Sequence, residues 1–128
     1  MKHPPPISDA EWQVMEAIWR GLHPVGASEV IERLGGETGW KPNTIRTLLA
    51  RLVKKGALAY AEAGNRYMYT PRFARDQHVS HASESFLGRI FGGAAQNLLV
   101  HFAESDKLTE ADLKEIRRIL DRKKEQRK

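Results

Sequence analysis

One segment in the first half of the chain carries residues whose types and spacing suit contact with DNA. The segment 40–56, WKPNTIRTLLARLVKKG, contains five lysines and arginines, and no acidic residue lies between Glu37 and Glu62. A helix fits the major groove of B-DNA, where each base pair presents its own pattern of hydrogen-bond donors and acceptors. The groove favours short polar side chains near the start of the helix and cations along its edges. The segment therefore predicts a helix that reads double-stranded DNA.

The polar residues of this region divide into two chemical groups. Asparagine can bond an adenine edge at two points, arginine a guanine edge, and a threonine methyl group can touch thymine. The residues predicted to read bases are Asn43, Thr44, Arg46 and Thr47. Phosphate contacts fix the register of a protein on DNA but carry no sequence information. The residues predicted to contact the DNA backbone are Ser28, Lys41, Arg51, Lys54, Lys55, Arg66 and Tyr67.

Apolar spacing predicts the elements that position this surface. Pro42 suits the first turn of a helix, and Gly56 suits its end. Segments 58–62 and 67–70 alternate with period two on either side of the turn signal Gly64-Asn65, which predicts a β-hairpin. The helix residues that follow the i, i+3, i+4, i+7, i+8 pattern are Ile45, Leu48, Leu49, Leu52 and Val53. A basic helix joined directly to a hairpin indicates a winged helix-turn-helix.

Two further helices are predicted before the basic helix. Residues 8–11 match a capping box, which opens a first helix that ends near Gly21. Residues 28–34 predict a short second helix, and Gly35-Gly36 is expected to break it. In the hairpin, Tyr67 and Tyr69 share one face of their strand. One hairpin face must cover the helical core, so not every side chain of this strand can reach DNA.

The last third of the chain predicts helices that lack a core of their own. Amphipathic stretches cover residues 76–91, 94–104 and 110–124, and we expect them to pack against a second copy of the chain. The residues predicted at that interface are Phe86, Phe91, Leu98, Leu99, Phe102, Leu113, Ile116, Ile119 and Leu120. The predicted fold is mainly α with a small antiparallel β wing. Its parts are a disordered lead-in (1–7), a winged-helix DNA-binding domain (8–71) and a helical dimerisation region (72–128).

Composition excludes several classes of function. The chain has no cysteine, which rules out disulfides, thiolate metal sites and cysteine catalysis. Its net charge of +5 favours an acidic partner such as nucleic acid. No signal peptide or membrane-spanning stretch is recognisable, so we expect a cytoplasmic protein without a membrane partner. No catalytic constellation and no cofactor motif is found, so the chain is not expected to be an enzyme.

Three segments closely resemble the penicillinase-repressor family of BlaI/MecI/CopY-type regulators. They are ISDAEWQVMEAIW, WKPNTIRTLLARLVKKGAL and NRYMYTP, and the resemblance extends from Ile7 to about Leu120. It implies a homodimeric winged-helix repressor that binds a roughly palindromic operator through its N-terminal domain and dimerises through its C-terminal helices. The implied partners are double-stranded operator DNA and a second copy of the chain.

Two departures from the family pattern leave the inducing signal open. Copper-sensing relatives carry a C-terminal cysteine motif, which this chain lacks. Relatives that respond to β-lactams are cleaved by a regulatory protease at an Asn-Phe bond. The matching position is His101-Phe102, where the phenylalanine is kept and the asparagine is not. Cleavage by a regulatory protease, control of a β-lactamase, and burial of Phe102 in a dimer all remain open.

Two alternative functions are also compatible with these residues. The first is a winged helix whose basic face meets an acidic protein instead of DNA. The second is a metal-responsive regulator that uses His78 and His81, which are three residues apart on a predicted helix. The ordinary interpretation of this pair is two surface histidines near a dimer interface, with no metal bound.

Overall fold

The computed structural model describes residues 3–90, 92 and 95–127, with the side chain of Ile90 excepted. The chain forms two compact units, residues 1–83 and 84–128. The first unit holds α1 (Asp9–Arg20), β1 (Val25–Gly26), α2 (Ala27–Thr38), α3 (Pro42–Lys55), β2 (Leu58–Ala63) and β3 (Arg66–Pro71). Helix α4 (Arg75–Ile90) starts in the first unit and ends in the second, which also holds α5 (Ala95–Glu104) and α6 (Glu110–Gln126). The predicted fold class is confirmed; the functional boundary after residue 71 stays a prediction.

The ends of α1 and α3 follow the sequence signals. At the start of α1, Ser8 Oγ accepts a hydrogen bond from the Glu11 backbone N–H at 3.2 Å, and the Ser8 N–H donates to Glu11 Oε1 at 2.7 Å. This reciprocal pair is the predicted capping box. Pro42 occupies the first turn of α3, and Gly56 ends the helix in the left-handed region at φ 90°. A glycine adopts that conformation without the steric cost that a side chain brings.

The predicted end of α2 is wrong. The helix starts at Ala27 and runs through Gly35-Gly36 to Thr38. A glycine inside a helix costs only about 1 kcal/mol relative to alanine, which packing of the other residues can offset. The true end is Gly39, at φ 74°, whose N–H donates to the Gly35 carbonyl at 3.0 Å. The turn between α2 and α3 is therefore only three residues long, from Gly39 to Lys41.

The hairpin belongs to a three-stranded antiparallel sheet with the order β1-β3-β2. Strand β1 was not predicted, because two residues are too few to show a periodic pattern. It pairs Val25 with Tyr69 and Gly26 with Met68. Because β1 leads directly into α2, this pairing fixes the start of α2 against the wing.

The core of the first unit lies between the three N-terminal helices and the sheet. Its largest fully buried apolar side chains are Val14, Met15, Ile18, Val30, Leu34, Ile45, Leu49, Leu52 and Leu58. Tyr69 is buried against this core, whereas Tyr67 on the same strand face is 49% exposed. Only the part of the hairpin nearest the helices covers the core, so the wing tip remains in solvent. In the lead-in, Pro4 is buried and Ile7 packs against the core.

Candidate nucleic-acid interface

Helix α3 separates its core face from its polar face as the sequence predicts. Ile45, Leu49 and Leu52 are fully buried and hold the helix against the rest of the unit. The four residues predicted to read bases are all exposed: Asn43, Thr44, Arg46 and Thr47. The apolar stripe thus fixes the rotation of α3 about its axis. That rotation turns the short polar groups and Arg46 outward together.

Two hydrogen bonds connect residues of this face. Arg46 Nη1 donates to Asn43 Oδ1 at 3.4 Å, and Thr47 Oγ1 donates to the Asn43 backbone carbonyl at 2.9 Å. The bond from Thr47 uses its only hydroxyl proton and leaves its methyl group for an apolar contact. The guanidinium of Arg46 carries five donors and uses one here, so it keeps the fork that suits a guanine edge.

Three cations border the face without forming an ion pair to any other described residue. They are Lys41, Arg51 and Lys54, and all are exposed. The first turn of α3 contains no acidic residue, so the partial positive charge of the helix N-terminus is not offset there. Helix α3 therefore presents positive and neutral polar side chains and no acidic one, which suits contact with phosphates.

Lys55 has a structural partner that the sequence did not reveal. Its Nζ lies 2.5 Å from Oε1 of Glu11, whose side chain is only 2% exposed. Burial of Glu11 opposes its ionisation, but hydrogen bonds from Lys55 and Ser8 outweigh burial and lower the pKa of the carboxyl. The predicted DNA-backbone residue Lys55 thus joins the end of α3 to the start of α1. The capping-box pattern marked Glu11, but nothing in the sequence marked its second partner.

The wing holds Arg66 in a second ion pair. Arg66 Nη2 lies 2.5 Å from Oε1 and 2.7 Å from Oε2 of Glu29, in the first turn of α2. Ser28, beside Glu29, is exposed as its predicted phosphate role requires. Tyr67 packs edge-on against Tyr60 with ring centroids 4.9 Å apart. The structure thus brings Ser28 and Arg66 to the same end of α2, and it adds Glu29, which the sequence analysis did not single out.

The second unit leaves its large apolar side chains open to solvent in the single chain. No described residue of α5 or α6 is buried; Leu99 is 61% and Leu120 is 56% exposed. The predicted interface residues that are partly or fully exposed are Phe86, Leu98, Leu99, Phe102, Leu113, Ile116, Ile119 and Leu120. Phe91 lies outside the described residues. Apolar surface of this extent is typical of a protein interface.

The interpretation of His78 as a surface histidine is wrong. Its side chain is 3% exposed, and its ring packs against Trp12, Trp19 and Phe73 at centroid distances of 6.1, 5.3 and 5.8 Å. Nε2 has no hydrogen-bond partner among the described residues. No group of three or more metal-ligating side chains occurs in the described part of the chain. His78 therefore joins α4 to α1 as part of an aromatic cluster.

The fold should lose stability through His78 when the pH falls from 7.5 to 5.5. Burial, and then the charge of His81, lower the pKa of His78 from its ordinary 6.5. Below pH 6.5 the unfolded chain binds this proton before the folded chain does, so stability falls towards the folded pKa, by at most about 1.4 kcal/mol per pH unit. Thermal unfolding at both pH values measures the loss, which His78→Gln should reduce. His101→Gln, at an exposed site, should leave the loss unchanged, and an equal loss in all three proteins would contradict the prediction.

The position predicted to match the family cleavage site, His101-Phe102, lies inside α5. His101 and Phe102 are both exposed, and their rings make an edge-to-face contact at 5.7 Å. Phe102 is 40% exposed in the single chain, which leaves area for a partner to cover.

Among the described helices, none has the length and the apolar composition that a membrane span requires.

Both the sequence and the fold are similar to those of known proteins. Residues 7–122 match the family model described as penicillinase repressor. A penicillinase repressor of Bacillus licheniformis is 38% identical over 128 residues, which cover 100% of this chain and 99% of that protein. The methicillin resistance regulatory protein MecI of Staphylococcus aureus is 32% identical over 91% of this chain and 94% of its own length. A solution structure of monomeric Bacillus licheniformis BlaI with the blaP half-operator matches 60% of this chain and 93% of its own, with a TM-score of 0.52 and 43% identity.

Proposed function

The chain belongs to the penicillinase repressor family and is a DNA-binding repressor, and we propose that it binds a palindromic promoter operator as a homodimer. Helix α3 enters the major groove, and the wing formed by β2 and β3 lies beside it along the DNA backbone. The observation that carries the proposal is the exposed face of α3, where side chains suited to base edges lie beside cations that have no ion pair among the described residues, and where α3 itself contains no acidic residue. The family consists of transcriptional repressors, which are not enzymes, and we propose no catalytic activity for this chain.

Different residues contact the bases and the DNA backbone. Asn43, Thr44, Arg46 and Thr47 meet base edges, because they occupy the outward face of α3 near its start. Cations at the periphery, with the hydroxyls of Ser28 and Tyr67, meet phosphates; these cations are Lys41, Arg51, Lys54 and Arg66. Lys55 contributes to the positive field, but its first role is the ion pair with Glu11.

The second unit supplies the dimer. Its exposed apolar side chains on α5 and α6 need a partner, and a second copy offers a matching surface by two-fold symmetry. Two-fold symmetry also places two copies of α3 about one DNA turn apart, which a palindromic operator requires. Repression follows if the bound dimer blocks polymerase at the promoter, and we place this action in the cytoplasm.

Release by a regulatory protease carries a structural condition. The His101-Phe102 bond lies within α5, and a protease needs an extended peptide, so α5 must open locally before it is cut. The chain keeps phenylalanine but not asparagine at this bond. We therefore propose a protease partner only on the condition that it cuts a His-Phe bond instead of an Asn-Phe bond.

A salt titration tests operator binding directly. We expect a mobility shift with DNA from the region upstream of the chain's own gene, and weaker binding to a scrambled duplex of equal length. The logarithm of the binding constant should fall against the logarithm of the salt concentration with a slope of about −0.9 per phosphate contact. Binding that does not change with salt concentration would contradict the proposal. Weak and equal binding to both duplexes would also contradict it, and would favour an acidic protein partner.

A further inference from the structure

The ion pair between Glu29 and Arg66 connects the start of α2 to the start of β3. One nitrogen, Arg66 Nη2, makes both contacts with the carboxylate, at 2.5 and 2.7 Å. Both side chains remain about half exposed, 51% for Arg66 and 46% for Glu29. The pair therefore lies on the surface that carries the proposed DNA contacts, and solvent or a ligand can reach it.

Gly26 leaves room for this ion pair because it has no side chain. A Cβ atom added at Gly26 would collide with the guanidinium of Arg66 and with the carboxylate of Glu29. Gly26 is also the residue of β1 that pairs with Met68 of β3. The two side chains thus pack directly over the junction between the sheet and α2, and this junction limits where the guanidinium can lie.

The pair leaves part of Arg66 available. Nε and Nη1 have no partner among the described residues, so up to three N–H donors can still reach a phosphate or the minor groove. The hydrogen bond from Arg66, followed by backbone N–H groups of Glu29 and Gly26, lowers the pKa of the Glu29 carboxyl. Glu29 is therefore negatively charged at neutral pH beside the predicted path of the phosphates.

We propose that Glu29 is a positioning residue that determines how well the protein discriminates its operator from other DNA. Glu29 fixes the orientation of Arg66 through one nitrogen and presents the remaining donors to DNA. This inference rests on the proposed function and deepens it.

Glu29 affects DNA binding in two ways, through its charge and through its hold on Arg66. Sequence-blind binding depends on the summed attraction of phosphates, so a carboxylate at the interface weakens it. Specific binding depends on geometry, because an arginine held in place can read the width of the minor groove and fix the register of α3. The charge of the carboxylate therefore weakens binding to every duplex, whereas its hold on Arg66 preserves affinity for the operator in particular, and only this second effect changes discrimination.

A double-mutant cycle tests the inference. Dissociation constants are measured for the parent, Glu29→Gln, Arg66→Ala and the double variant, on a duplex from the chain's own upstream region and on a scrambled duplex. We expect Glu29→Gln to tighten binding to the scrambled duplex about threefold and to reduce the discrimination ratio five- to tenfold. In the Arg66→Ala background, Glu29→Gln should change both affinities by similar factors, because there is no guanidinium left to position.

A matched control separates charge from position. Glu32→Gln removes an exposed carboxylate from the same helix, at a site with no ion pair to any residue that the structure describes, and it should leave the ratio unchanged. An unchanged ratio in Glu29→Gln, or an equal fall in Glu32→Gln or in the Arg66→Ala background, would overturn the inference. A parent protein that fails to discriminate the two duplexes would instead overturn the proposed function. Melting temperatures of all variants confirm that the fold is intact.

Discussion

Replacement of Lys55 by methionine should lower the free energy of unfolding by about 3 kcal/mol, although Lys55 ends the basic helix near the protein surface. Its ammonium group is the cation that balances Glu11, which is 2% exposed and 2.5 Å away. Removal of one partner of a buried pair costs about 3–5 kcal/mol, since it leaves an uncompensated charge. We expect the lower end of this range because the Lys55 side chain is 39% exposed, so solvent screens the pair. Urea unfolding at pH 7 measures the change.

Two variants serve as controls for Lys55→Met. Lys54→Met removes the neighbouring exposed lysine, which has no ion pair among the described residues, and should change stability by less than about 0.5 kcal/mol. The double variant Glu11→Gln/Lys55→Met removes both charges and keeps a side chain that can complete the capping box, so it should regain most of the loss. A Lys55→Met protein as stable as the Lys54→Met protein would show that the pair does not hold α1 to α3.

Replacement of Ile116 by glutamate should separate the proposed dimer and weaken operator binding at least a hundredfold. Ile116 lies on the apolar face of α6 and is 37% exposed in the single chain. A charge placed at an apolar interface is costly because it loses its water without gaining a partner. A monomer holds one half-site at a time. It therefore loses the gain in affinity that comes from linking two contacts, which is on the order of 10²–10⁴-fold.

Sedimentation and mobility shifts measure the two parts of this prediction. Ile116→Glu should sediment as a monomer at micromolar concentration and should keep only weak binding to a single half-site. Leu22→Glu is the matched control, because Leu22 is 93% exposed in the first unit and has no proposed contact. A dimeric Ile116→Glu protein with parental affinity would place the interface elsewhere.

Local signals in the sequence were sufficient to predict α3. Pro42, Gly56 and the apolar stripe of α3 each act within one helix, and no tertiary contact was needed to fix its bounds or its exposed face. The end of α2 could not be predicted in this way, because packing of Val30 and Leu34 outweighs the cost of Gly35-Gly36. Contacts with other elements therefore carry α2 past the two glycines to Thr38.

Contacts between residues distant in the sequence were beyond prediction. Lys55 and Glu11 are separated by 44 residues, and Arg66 and Glu29 by 37. Charge patterning placed both cations on a basic surface, but it could not show that each already has a carboxylate partner. The burial of His78 was missed for the same reason, since its aromatic neighbours Trp12 and Trp19 belong to another helix.

A comparison of Arg46→Ala with Lys54→Ala, on the operator duplex and on a scrambled duplex, tests whether α3 reads operator bases. We expect Arg46→Ala to lose about 1–3 kcal/mol of binding free energy on the operator and little on the scrambled duplex, because it removes a base contact. Lys54→Ala should weaken both complexes by the same factor and reduce the salt slope by about one contact. Parental affinity and preference in both variants would contradict the claim that the exposed face of α3 reads the operator.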